Sequence, residues 1–318
     1  MPELSERRRK VFAFVAWATV AYSVFVILFG TSVRATGSGD GCGETWPKCG
    51  DFFIPQSPAA ETVIEFTHRV TSALAGLLVI AVLILAIRWF PKGGLVRRAA
   101  CASRVLVVVE GLLGAALVLF GWVDADVSLG RTIVVPLHLI NTFLLLAALT
   151  LTAWWGSGQS LPRRSLRSED GRWLLIGAAI LFVVGTTGAL NALADTVFPA
   201  DSVVGDLSDK FGPTAPMLSR LRLLHPLVAV VGGLGVAWIG MRRSRGSSGQ
   251  AQRVSGIFTI VVLSQMFIGI ANVFFLTPLA TQVAHLLVAD ALWIIFVVLG
   301  AVLLAEPSRD RALAGDPA

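Results

Sequence analysis

Ile64-Glu65-Phe66-Thr67-His68-Arg69-Val70-Thr71-Ser72-Ala73-Leu74-Ala75-Gly76-Leu77-Leu78-Val79-Ile80-Ala81-Val82-Leu83-Ile84-Leu85-Ala86-Ile87-Arg88 is the stretch that decides the fold. From Ala73 to Ile87 it holds no polar side chain. As a helix rising about 1.5 Å per residue, the whole stretch covers a hydrocarbon core of about 30 Å. Yet its first turns carry an acid and an imidazole three residues apart, on one helix face. An ionisable pair at the edge of a membrane span points to function before it points to structure.

Seven further spans are expected along the 318 residues, at about 11–30, 99–121, 133–155, 172–194, 220–241, 254–276 and 281–304. Hydrophobic residues make up 55% of the chain and charged residues 14%, too little charge to cover a water-soluble surface of this size. The first run follows Arg7, Arg8, Arg9 and Lys10 and is long for a signal peptide, with no small-x-small cleavage site after it, so it reads as a span. The net charge of +6 lies in short basic clusters between apolar runs. No basic stripe interleaved with aromatics is present, which argues against nucleic acid as a partner and leaves membrane lipid as the surroundings.

Those clusters give an orientation. Arg88, Lys92, Arg97 and Arg98, then Arg163, Arg164, Arg167 and Arg172, then Arg242, Arg243, Arg245 and Arg253 fall on one side, with the N-terminus and with Arg309 and Arg311. Asp40, Glu44, Asp51, Asp124, Asp126, Asp195, Asp201, Asp206 and Asp209 fall on the other. Both termini are therefore expected in the cytoplasm of a cell-membrane protein, with the acidic connections outside. Two outer loops, at about 31–63 and 195–219, are rich in Gly, Pro, Asp and Ser and are expected to be ordered caps.

The chain repeats itself. His68 precedes Gly76-Leu77 by the spacing that separates His225 from Gly233-Leu234; His138-Leu139 matches His285-Leu286, and Glu110 with Gly114 matches Gln265 with Gly269. The expected fold is an all-α polytopic membrane protein, eight transmembrane helices forming two tandem pseudo-symmetric four-helix bundles. Their bounds are 1–155 and 172–318, with a cytoplasmic linker at 156–171. Each half has an even number of spans, so the halves run in the same direction and are related by an axis along the membrane normal.

The protein's four histidines, His68, His138, His225 and His285, fall one each on spans two, four, six and eight, near the outer end. A single such histidine could be bonding a neighbouring helix and nothing more. Four at repeat-equivalent positions and equal depth argue for ligation: imidazole binds heme iron, and two rings from two helices clamp one iron from both faces. Two heme sites are expected, His68 with His138 and His225 with His285. A di-iron site would repeat Glu-x-x-His, which occurs once here as Glu65 to His68, and the zinc motif His-Glu-x-x-His is absent.

Glu65 shares a face with His68, and Arg222 stands in its place in the second half. A carboxylate beside an apolar pocket resists ionisation and exchanges protons with a substrate, so the first half is read as catalytic and the second as a permanent cofactor site. Cys42 and Cys49 lie in an outer loop facing an oxidising compartment, where a disulfide fits; staple and redox pair both remain open. Cys101 is read as a small buried residue. Among arginines at outer helix ends (Arg34, Arg69, Arg131, Arg220 and Arg222), Arg69 and Arg222 are the candidates for heme propionates, being closest to a histidine.

Val33-Arg34-Ala35-Thr36-Gly37-Ser38-Gly39, the Gly41-Cys42 and Trp46-Pro47-Lys48-Cys49 segment, and Glu65-Phe66-Thr67-His68-Arg69 resemble the heme A synthases, in their cysteine-bearing branch. The resemblance covers essentially the whole chain. It implies oxidation of a porphyrin methyl of heme O, through hydroxylated stages, to the formyl of heme A for cytochrome oxidase biogenesis. It implies heme b as cofactor on His225 and His285, substrate heme at His68 and His138 with Glu65 as the catalytic acid or base, and a Cys42–Cys49 disulfide over that site. Heme O synthase and cytochrome oxidase assembly factors become expected partners, and a homo-oligomer is left open. The segment from Gly185 to Pro199 lacks the second cysteine pair that some members carry.

Three rivals were weighed. A di-heme b-type electron carrier would use the same histidines but has no need of Glu65 or the loop cysteines. A heme O synthase needs Asp-rich motifs for magnesium and diphosphate, and the cytoplasmic connections are nearly free of Asp. A transporter predicts broken helices around a midplane site, whereas the polar residues here cluster at the outer end.

Overall fold

The computed structural model describes residues 4–56, 59–199, 202 and 217–307. Among them, eight helices are long and apolar enough to cross a membrane. They are α1 (Glu6–Ala35), α2 (Ala60–Trp89), α3 (Leu95–Leu119), α4 (Leu129–Gly156), α5 (Glu169–Val197), α6 (Leu224–Ser244), α7 (Gly249–Phe274) and α8 (Leu279–Ala305). A one-turn helix, Met217–Leu221, leads into α6. Asp201, Asp206 and Asp209, most of the loop at 195–219, and Arg309 and Arg311 lie outside the described residues.

The helices overrun their apolar windows. α1 starts at Glu6, where Lys10 Nζ pairs with Glu6 Oε1 at 2.6 Å, and it takes in Arg7 to Arg9. α2 starts at Ala60. Charged residues are good helix formers, so a helix continues after its apolar stretch has ended. α4, α5 and α7 begin on serine caps: Ser128, Ser168 and Ser248 accept the amides of Arg131, Gly171 and Ala251.

The first four helices pack in sequence, α1 on α2, α2 on α3, α3 on α4, and α4 back on α1. Phe12, Val20, Val79, Val82, Leu145 and Leu149 form their core. α5 to α8 close likewise around Leu181, Val236, Phe258, Val262 and Phe296. α4 and α8 join the two groups: Trp293 Nε1 on α8 donates to the Phe143 carbonyl on α4 at 2.6 Å. Arg34 on α1 also crosses, donating to the Ala192 carbonyl at 2.6 Å and to Gln282 Oε1 at 2.7 Å.

The two ends of the bundle differ. At the basic end, Arg243 bonds Glu169 at 2.6 Å and Asp170 at 2.6 Å, and Arg164 also reaches Asp170. These acids at the start of α5, with Glu6 and Glu306 at the same end, depart from the acidic–basic division read from the sequence, and the α5 pair holds two of its arginines. At the other end, called here the disulfide end, Cys42 and Cys49 are joined. Cys101 corrects the sequence reading: it is exposed on α3. On a spanning helix that exposed face meets lipid, which accepts a thiol as readily as a protein core does.

Candidate functional site

Each histidine lies near the disulfide end of its helix, and each packs against a glycine of the preceding helix. A Cβ added to Gly30 on α1 would stand 3.2 Å from His68, one on Gly188 of α5 3.0 Å from His225, and one on Gly269 of α7 3.1 Å from His285. Gly114 on α3 faces His138 more loosely, at 3.9 Å. The imidazoles therefore occupy room that a side chain on the neighbouring helix would fill. Gly114 and Gly269 were visible as repeat markers; Gly30 and Gly188 carry no signal except their place one helix before a histidine.

One pair of rings meets. His225 and His285 have centroids 6.4 Å apart and planes at 88°. An iron between two imidazoles, with bonds of about 2 Å and about 1.1 Å from nitrogen to ring centre, requires about 6.2 Å. The spacing fits one metal between the rings. His68 and His138 hold the repeat-equivalent places on α2 and α4. Phe29 meets His68 edge-on at 5.6 Å. The buried Nδ1 atoms of His68, His138 and His285 make no hydrogen bond among the described residues, a condition that suits rings whose polar work is ligation.

Third-helix polar residues touch the fourth-helix histidines. In the first half His138 Nδ1 lies 3.3 Å from Glu110 Oε1. In the second, Gln265 Nε2 lies 3.2 Å from His285 Nε2. Thr187 Oγ1 on α5 adds a contact of 3.3 Å to His225 Nδ1. Neither Glu110 nor Gln265 was assigned a role from sequence.

Glu65 is 3% exposed and is held from two directions. Its Oε2 accepts the Cys42 amide at 2.7 Å, and its Oε1 accepts Arg69 Nε at 3.0 Å. Arg69 also donates to the carbonyls of Thr45 at 2.7 Å and Lys48 at 2.5 Å. The disulfide loop is thereby drawn onto α2 by one acid and one arginine spaced i, i+4. Glu65 was expected beside an apolar pocket; its direct partners are a guanidinium and an amide. Arg222, in the second half, pairs with Asp195 at 3.2 Å and donates to the Ala194 and Phe198 carbonyls. The two arginines singled out for propionates thus both tie outer backbone to a helix.

Among known families, the chain matches the model described as cytochrome oxidase assembly protein, COX15-CtaA, over residues 13–297. It is 44% identical over 289 residues to a protein of Thermus thermophilus named protoheme IX farnesyltransferase, covering 89% of this chain and 47% of that relative. It is 37% identical over 123 residues to the heme A synthase of Alkalihalophilus pseudofirmus, covering 39% of this chain and 40% of the relative. With the heme A synthase of Bacillus cereus the figures are 38% over 119 residues, 36% and 38%. The chain spans about half the length, or less, of these relatives.

Proposed function

The chain belongs to the COX15-CtaA family of cytochrome oxidase assembly proteins, a heme A synthase family, and from that premise we propose that it oxidises one porphyrin methyl of heme O to the formyl of heme A. The observation that carries this reading is the His225–His285 pair, spaced at 6.4 Å for a single iron, with His68 and His138 at the repeat-equivalent positions of the first half. In our reading 1–155 is the substrate-heme half, 172–318 the heme b half, and 156–171 the link between them. The acidic disulfide end faces outward from the cell membrane and both termini face the cytoplasm.

The conversion takes one water and releases four protons and four electrons, in steps through hydroxylated stages, and the electrons must pass to an external acceptor. His225 and His285 would hold heme b, which would supply one-electron transfer toward that acceptor. His68 and His138 bind the substrate and fix which methyl lies under the disulfide loop. Glu65 receives protons there, and its contact with Arg69 and the Cys42 amide keeps the carboxylate oriented. A propionate reaching Arg69 or Arg222 shares a guanidinium that already holds an acid. The apolar bundle admits a porphyrin with an isoprenoid tail from the lipid side.

The farnesyltransferase name of the Thermus relatives belongs to proteins of which this chain matches less than half. Prenyl transfer needs acids free to hold magnesium and diphosphate. Here Asp170 and Glu169 at the basic end are engaged by Arg164 and Arg243. We infer that the prenyl chemistry of those relatives lies in the portion this chain does not match, and that a heme O synthase is the upstream partner. The test is expression beside a heme O synthase, followed by chromatography of acid–acetone-extracted hemes. A formyl-bearing heme is expected. Heme b alone would favour a di-heme electron carrier and overturn the assignment.

A further inference from the structure

Glu110 is a carboxylate on α3, where the residues from Val105 to Leu119 are otherwise apolar and an acid is costly unless it is used. It is held in place from α4. Asn141 Nδ2 donates to its Oε2 at 2.5 Å and the Thr142 hydroxyl donates to its Oε1. Asn141 is itself anchored to the Leu106 carbonyl at 2.9 Å through its second amide hydrogen, and the single hydroxyl hydrogen of Thr142 is shared between Glu110 and the His138 carbonyl at 2.9 Å. The same Oε1 lies 3.3 Å from His138 Nδ1. In the second half the contact falls on the other ring nitrogen: Gln265 Nε2 lies 3.2 Å from His285 Nε2, and the buried Nδ1 of His285 has no hydrogen-bond partner among the described residues. Gln265 replaces Glu110, and Val288 and Ala289 occupy the places of Asn141 and Thr142 when His285 is set on His138.

We infer that Glu110 is a positioning residue for the substrate heme: its clamped carboxylate faces Nδ1 of His138, fixes the ring, and leaves Nε2 for the iron. This rests on the reading that His68 and His138 take a heme. An acceptor on the far nitrogen of an axial imidazole makes that imidazole a stronger donor, which favours ferric over ferrous iron. The N-terminal site is thereby set to a lower potential than the C-terminal one, where no carboxylate faces the far nitrogen of His285.

The test uses the full-length protein in detergent, loaded with iron protoporphyrin as the probe, with midpoint potentials and low-spin ligand-field spectra recorded for wild type, Glu110→Gln and Thr142→Val. In Glu110→Gln one of the two potentials rises and the other stays. Thr142→Val, which loosens the clamp and leaves the carboxylate, moves the same potential in the same direction by less. Two unmoved potentials in Glu110→Gln, with both hemes low-spin, would overturn the role of Glu110 alone. A His138→Ala protein with the wild-type heme content and spectrum would overturn the heme reading and the role together.

Discussion

The two halves share a frame and differ in what surrounds it. In both, a histidine on the second helix packs on a glycine of the first, and a histidine on the fourth packs on a glycine of the third. Around the first pair stand two carboxylates: Glu65, tied to Arg69 and the Cys42 amide, and Glu110, tied to Asn141 and Thr142. Around the second pair the repeat-equivalent places hold Arg222 and Gln265, and Arg222 is paired with Asp195. A duplicated scaffold thus keeps the histidines and the glycines they pack on and changes the charged and polar groups around them. That is the pattern expected when one copy holds a cofactor and the other performs a reaction that releases protons.

The largest expected effects break the comparison at its ligands and its acid. His225→Ala leaves the C-terminal heme without one axial bond, and heme b recovered with the purified protein should fall at least about tenfold, since even indirect supports of a ligand are worth about 10–100-fold in affinity. Glu65→Gln keeps size and an acceptor for Cys42 but removes the charge and the exchangeable proton. Turnover should fall by about 10²–10⁴-fold, the usual worth of a general acid or base, while the C-terminal heme spectrum stays intact. Loss of that spectrum in Glu65→Gln, or normal turnover, would abolish the division of labour.

How much of this was legible follows from what kind of pattern each feature leaves. The spans were readable because about 20 apolar residues in a row have no other use. Their ends were not: α1 carries its helix back through Arg7 to Arg9, and charge alone does not mark where a helix stops. The histidines were readable because the repeat places them in register. The partners of Glu110 were not, because Asn141 and Thr142 lie on another helix 31 and 32 positions away, and a contact between neighbouring helices leaves no spacing in either. Glu65 and Arg69 were both singled out, yet their i, i+4 contact was overlooked in favour of an apolar setting, although that spacing was available to read. Cys101 was misjudged because burial and lipid exposure select the same residue types.

A smaller effect sharpens the comparison at the glycines. Alanine is ordinarily better than glycine in a helix by about 1 kcal/mol. At Gly114 the new methyl would stand 3.9 Å from His138, an ordinary contact, so Gly114→Ala should be neutral or slightly stabilising. At Gly188 it would stand 3.0 Å from His225, and the ring must yield. Crowding of that kind costs about 1–3 kcal/mol. Gly188→Ala should therefore lower the thermal midpoint in detergent and weaken heme retention. Equal behaviour of the two variants would show that the glycines do not make room for the rings.

The smallest expected effect concerns a place where the repeat fails without a visible compensation. Asp290, on α8, occupies the position of Phe143 when the fourth-helix histidines are superposed in sequence. It is fully buried, and neither carboxyl oxygen has a hydrogen-bond partner among the described residues. Its neighbours on α8, Leu292 and Trp293, belong to the apolar core of the second half. A polar group in such surroundings costs about 1–3 kcal/mol relative to one that is satisfied or removed. Asp290→Leu should accordingly raise the thermal midpoint in detergent, and Asp290→Asn, which keeps the polarity, should raise it less. If instead both variants lose stability, the carboxyl is bonded in the working protein, and the second half contains an acid in use after all. The contrast between the halves would then be one of where the acids sit, at the ligands in the first and deeper toward the bundle centre in the second.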